Sequence, residues 1–99
     1  MKFILGGPGT GKTQHILKLS SENGITILCE SQARKERLLE KAMNYGYMIP
    51  IPIVFSEVKD TDKTVYIDDI EKLLSHMFSC KVEAITINTV TQDDVIKLD

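Results

Sequence analysis

The chain alternates short apolar runs with longer stretches in which apolar side chains return every three or four positions, the pattern of strands followed by helices. Lys2-Phe3-Ile4-Leu5 is one such run, and it stops at a cluster of glycines. The stretch after it predicts a helix from about residue 11 to residue 23, with Gly24 placed to end it in the left-handed conformation. Residues 25–29 read as a second buried strand. Ser31 suits the N-cap of a helix running to about Tyr45, with Gly46 just past its end. Leu38, Leu39, Ala42 and Met43 make its apolar stripe, and charged residues take the other faces.

Pro50 and Pro52 remove two amide donors, so a strand over residues 51–55 belongs at a sheet edge or starts late. Residues 59–63 form a polar loop, and residues 64–67 a buried strand that ends on Asp68 and Asp69. Ile70, Leu73, Leu74, Met77 and Phe78 recur at helical spacing. Residues 82–87 read as another strand, ending on Asn88 and Thr89, and the last ten residues fit a short helix or an extended tail equally. Strands and helices in this order predict an α/β domain, a three-layer sandwich around a mostly parallel central sheet of about 4–5 strands. With 99 residues the chain makes one minimal domain over residues 1–99.

The glycine cluster carries the most specific chemistry. Gly6-Gly7-Pro8-Gly9-Thr10-Gly11-Lys12-Thr13 matches G-x-x-x-x-G-K-[ST] at every fixed position. Glycines let the backbone curl with its N–H groups inward, and the following helix adds the positive end of its dipole. Lys12 then reaches the β- and γ-phosphates of a nucleoside triphosphate, and the Thr13 hydroxyl ligates Mg²⁺. Gln14, next in the helix's first turn, completes the expected binding segment. By average residue usage a chance match in so short a chain is on the order of a few in a thousand. Asp68, at the carboxyl end of its strand, is placed to meet the same metal ion, and Asp69 to orient or deprotonate a water. Capping of the helix that starts at Ile70 explains Asp69 equally well.

With these two motifs the chain resembles the P-loop NTPases, in particular the additional-strand branch of RecA-like ATPases, AAA+ proteins and helicase motor domains. Gly6–Thr13 resembles its Walker A motif and Val65-Tyr66-Ile67-Asp68-Asp69 its Walker B motif. The resemblance implies ATP and Mg²⁺ as ligands, Lys12, Asp69 and Asn88 as catalytic groups, and Asn88 as a sensor of the γ-phosphate. It also implies that the turn after residues 25–29 is placed where such domains touch nucleic acid. The family commonly ends Walker B in Asp-Glu, and the shorter Asp68-Asp69 pair leaves Glu57 and Glu30 as alternative bases. Against the family pattern the chain is expected to lack the fifth strand, a lid and a second motor domain.

Other features narrow the expectation. A formal net charge of −2 argues against broad, charge-driven binding of nucleic acid. No apolar run approaches the roughly 18 residues of a membrane span, and Met1 opens directly on the first strand with no room for a signal peptide. Cys29 and Cys80 lack metal-ligand spacing, and Cys29 reads as a small buried hydrophobe. A cytoplasmic protein fits these features. Arg34, Arg37 and Lys41 share one helical face, which reads as solvated, as a phosphate contact, or as an arginine finger for a neighbouring subunit. His15 and His76 have no partners at metal-ligand spacing, and Tyr45 and Tyr47 are expected to pack at a helix end. The function expected is slow hydrolysis of Mg·ATP, with a partner or oligomer needed for full activity. A nucleotide-dependent switch and a small nucleoside or nucleotide kinase are the alternatives.

Overall fold

The computed structural model describes residues 1–88 and 91–98. Strand β1 (Phe3–Gly6) leads through the glycine-rich loop into helix α1 (Lys12–Asn23), and β2 (Ile27–Cys29) into α2 (Gln32–Tyr45). Then come β3 (Ile53–Val54), a 3₁₀ turn at Phe55–Glu57, β4 (Tyr66–Ile67) and α3 (Ile70–Phe78). A second 3₁₀ turn at Gln92–Asp94 leads into β5 (Val95–Leu98). Parallel strands thus alternate with helices, and the α/β expectation holds.

The strands form two small parallel sheets, which corrects the expected single sheet of about 4–5 strands. In one, β1 pairs with β5, with Phe3 opposite Val95 and Gly6 opposite Leu98. In the other the order is β3-β2-β4, with Leu28 opposite Ile53 on one side and Ile67 on the other. The expected strand over residues 82–87 does not form, and Ile85 and Ile87 are exposed. Apolar alternation supplies a preference for extended backbone, but a strand exists only where its N–H and C=O groups meet a partner edge. The chain's fifth strand is instead β5, inside the tail whose pattern was ambiguous. Thr89, expected beside the sensor position, lies outside the described residues.

The core sits where β2 meets the two longer helices. Ile16 and Leu17 of α1, Ile27 and Cys29 of β2, and Leu38 and Ala42 of α2 are buried together. Ile4, Tyr47, Ile49, Val54 and Tyr66 pack around them. Central β2 is buried at all three positions, as a strand covered on both faces should be. Strand β3 starts late, at Ile53 past both prolines, and it also lies at the sheet edge. Met43, expected in the α2 stripe, is 79% exposed, because the stripe that meets α1 and β2 is only as wide as Leu38 and Ala42, with Leu39 half-buried.

Gly24 and Gly46 end α1 and α2 as expected, each donating its N–H to the last turn. Ser31 caps α2 by accepting from Arg34 N at 3.2 Å. Tyr45 and Tyr47 pack across that helix end with ring centroids 5.8 Å apart. Among the described residues no helix is long and apolar enough to cross a membrane.

Leu38 is fully buried at the centre of this cluster. Truncation to alanine is expected to lower unfolding free energy by about 2–5 kcal/mol, read from the midpoint of urea melts. Cys29 is buried and its thiol is pushed up by that burial, whereas Cys80 is exposed. A thiol reagent should therefore titrate one cysteine in the folded protein and both in denaturant.

Candidate phosphate-binding site

The loop between β1 and α1 is shaped by two glycines with positive φ. Gly9 has φ 75° and Gly11, the residue that caps α1, has φ 88°. A β-carbon at either would strain the backbone, and glycine adopts this curl freely. Thr10 closes the turn by donating its hydroxyl to the Gly7 carbonyl at 2.7 Å. No side chain caps α1. The N–H groups of Lys12, Thr13 and Gln14 therefore belong to the first helical turn, where an α-helix has no acceptor of its own to offer. That turn presents free N–H donors together with the positive end of the helix dipole.

Lys12 Nζ donates back to the carbonyls of Gly6 and Gly7 at 2.6 and 2.7 Å, so the ammonium sits inside the curl. Gly6 is needed for close approach as well. A β-carbon there would run into Thr10 Oγ1 and come within 2.9 Å of the Leu98 carbonyl of β5. The loop and the β1–β5 pairing thus depend on the same missing side chain.

Asp68 follows β4, and its backbone N–H donates to the Leu28 carbonyl at 3.1 Å. Because β4 pairs directly with β2, the carboxylate comes to the end of the sheet where α2 begins. Asp68 is buried, at 6% exposure. A buried carboxylate requires a partner, and Arg34 supplies it: Nε donates to Asp68 Oδ2 at 2.7 Å. The terminal Nη2 of the same guanidinium donates to Thr13 Oγ1 at 3.1 Å. The hydrogen bond to Asp68 holds Arg34 more firmly protonated than usual, with Asp68, Glu30 and Asp69 adding through their charges and burial opposing. The structure therefore brings Thr13 and Asp68 to a single cation.

This changes the reading of the basic face of α2. Arg34 turns inward, while Arg37 and Lys41 stay exposed. Spacing put all three on one stripe, and only the pairing of β4 with β2 sets Arg34 against a buried acid. The signal available in the sequence was the position of Arg34 three residues after the Ser31 cap, in the first turn above the end of β2.

The remaining acids are placed differently. Asp69 caps α3, accepting from Lys72 N at 3.3 Å, with its backbone at φ 57°. Glu57 accepts from Val54 N at 3.0 Å and from Lys35 Nζ at 3.1 and 3.2 Å. Those two contacts, the backbone one first, draw its carboxyl below the ordinary range. Glu57 is thus engaged on both sides. Glu30 has only 14% of its side chain exposed, feels Arg34 electrostatically, and faces His76 Nε2 at 3.4 Å. Glu30 and His76 line a cleft of about 420 Å³ at the carboxyl ends of β2 and β3, walled by Val54, Phe55, Leu73 and Met77. No residue of the glycine-rich loop lines this cleft. Asn88 is exposed in the segment that forms no strand, so the strand end expected to carry it to the loop is not formed.

A magnesium ion that arrives with a triphosphate needs only one or two protein ligands, since phosphate oxygens and waters complete its octahedron. Thr13 and Asp68 fit that requirement. Among the described residues no group of three His, Cys, Asp or Glu stands together, so no all-protein metal cage is formed. Comparison with protein-family models, curated proteins and solved structures finds no match for this chain.

Asparagine at position 69 separates capping from proton transfer, since its side-chain oxygen still caps but takes up no proton at neutral pH. Asp69→Ala is expected to lower stability by about 0.5–2 kcal/mol, and Asp69→Asn to restore most of it. Turnover that survives in Asp69→Asn would remove Asp69 from the list of bases, and turnover abolished there would retain it.

Proposed function

We propose that the chain is a minimal P-loop NTPase of the additional-strand branch that binds Mg·ATP and hydrolyses it slowly. The observation that carries this reading is the convergence of three parts on one point. A glycine loop curls before an uncapped helix, Lys12 sits in the curl, and Thr13 and Asp68 face one cation. In this reading the N–H groups of residues 9–14 cradle the β- and γ-phosphates, and Lys12 moves from the Gly6 and Gly7 carbonyls to the phosphates. Thr13 and Asp68 hold Mg²⁺. As the base we favour Glu30, which faces His76 and has no backbone to cap, over Asp69, which caps α3, and Glu57, which Val54 N and Lys35 engage.

One observation favours the alternative of a nucleotide-dependent switch with little turnover. Asp69, the acid in the usual place of the base, is spent on capping α3. Under the hydrolytic reading a partner or second copy is expected to be needed for full activity. The preference for adenine over guanine rests on the absence of an Asn-Lys-x-Asp stretch in the sequence.

Calorimetric titration with Mg·ATP, Mg·GTP and Mg·ADP, with phosphate release followed in the same samples, tests the proposal. Lys12→Ala is expected to weaken nucleotide binding tenfold or more, since a charge-assisted phosphate contact contributes about 1.5–3 kcal/mol. Asp68→Ala is expected to remove the Mg²⁺ dependence of binding. Affinity unchanged in Lys12→Ala would sink the assignment of the loop. Binding without phosphate release would select the switch.

A further inference from the structure

Arg34 and a divalent cation ask for the same two oxygens. The guanidinium reaches Thr13 Oγ1 and Asp68 Oδ2 at 3.1 and 2.7 Å. Mg²⁺ would need oxygens at about 2.0–2.1 Å in an octahedron. Two cations cannot both sit between Thr13 Oγ1 and Asp68 Oδ2, so a metal held by those two oxygens would displace the guanidinium. The side chain can leave without moving its helix. Its backbone is held by the Ser31 cap at the first turn of α2, and only the side chain spans the gap to Asp68.

Resting on the nucleotide reading, we propose that Arg34 is a placeholder for the metal and a positioning residue for the terminal phosphate. When Mg·ATP binds, Thr13 and Asp68 pass to the metal, and the guanidinium passes from Asp68 to the γ-phosphate. A planar fork of N–H donors fits phosphate oxygens as well as it fits a carboxylate. Mg·ADP brings the metal but no γ-phosphate to receive the displaced charge. Arg34 then competes with the metal for Asp68, and the protein discriminates triphosphate from diphosphate. The sensing arginine is in this way built into the same chain, on the helix after β2, instead of being lent by a neighbour. Any stimulation by a partner would have to come from another group.

The test uses the full chain as wild type, Arg34→Ala and Arg34→Lys, titrated calorimetrically with Mg·ATP and Mg·ADP. Thermal melts with and without millimolar MgCl₂, no nucleotide added, run beside it. Wild type is expected to prefer Mg·ATP by tenfold or more. In Arg34→Ala the preference should collapse, with Mg·ADP binding about tenfold tighter, the worth of one charge-assisted hydrogen bond. MgCl₂ alone should raise the melting temperature of Arg34→Ala by several degrees and leave wild type unmoved, because only the variant leaves Asp68 open to the metal. If Arg34→Ala does not fold, Arg34→Lys carries the comparison, since lysine keeps the charge but has no fork to span two oxygens. Equal weakening of both nucleotides in the variants, or an unchanged preference, overturns the proposal. Melts of folded Arg34→Ala that ignore Mg²⁺ overturn it as well. A wild type that binds neither nucleotide sinks the nucleotide reading and the transfer to phosphate. The Mg²⁺ melts then still decide whether Arg34 stands in a metal position.

Discussion

A carboxylate buried at the end of a parallel strand is tolerable only if a cation or several donors meet it, and in this protein the organisation of the site follows from that requirement. Asp68 is almost wholly enclosed, and the guanidinium that satisfies it also reaches the first turn of α1. One cation thereby ties together the loop after β1, the helix after β2 and the end of β4. Removing one member of a buried ion pair is worth roughly 3–5 kcal/mol, which is a large part of the stability of a domain this small. The contact therefore constrains position strongly, even though well-packed apolar replacements of buried ion pairs are often as stable.

The same contact has a chemical side. The Asp68 carboxylate and Thr13 hydroxyl are a hard oxygen pair, suited to a small divalent ion that brings its own phosphate ligands. Protein binding sites that must take up a charged ligand face a problem while the site is alone, because their own charges are then unmatched in a poorly solvated place. On the proposed nucleotide reading, Lys12 lying against the Gly6 and Gly7 carbonyls and Arg34 lying against Asp68 solve it in the same manner. Each charged group has a local partner from which it can be drawn by a stronger one.

Much of the fold was legible in the chain. The spans of α1 and α2, their glycine stops, the Ser31 cap and the edge placement of β3 follow from local chemistry acting over a few residues. The curl of the glycine-rich loop is legible for the same reason, because the positive φ of Gly9 and Gly11 is a local property. The apolar pattern of residues 82–87 predicts a strand and that of the tail fits helix or extended chain equally, since pairing is a property of two segments and periodicity describes one. Val95–Leu98 found the edge of β1, where Gly6 leaves room for Leu98, and residues 82–87 found no edge.

Sequence by itself determined which groups could do chemistry here: a glycine curl, a lysine and a threonine at fixed spacing, and acids at a strand end. The first three are local because the glycine-rich loop is built from consecutive residues. Only the tertiary structure decided which acid is buried and which caps a helix. It also decided that Arg34, and not its stripe-mates Arg37 and Lys41, faces the site. The physical reason is the parallel pairing of β2 with β4, which sets residue 34 against residue 68 across a separation that no local pattern encodes.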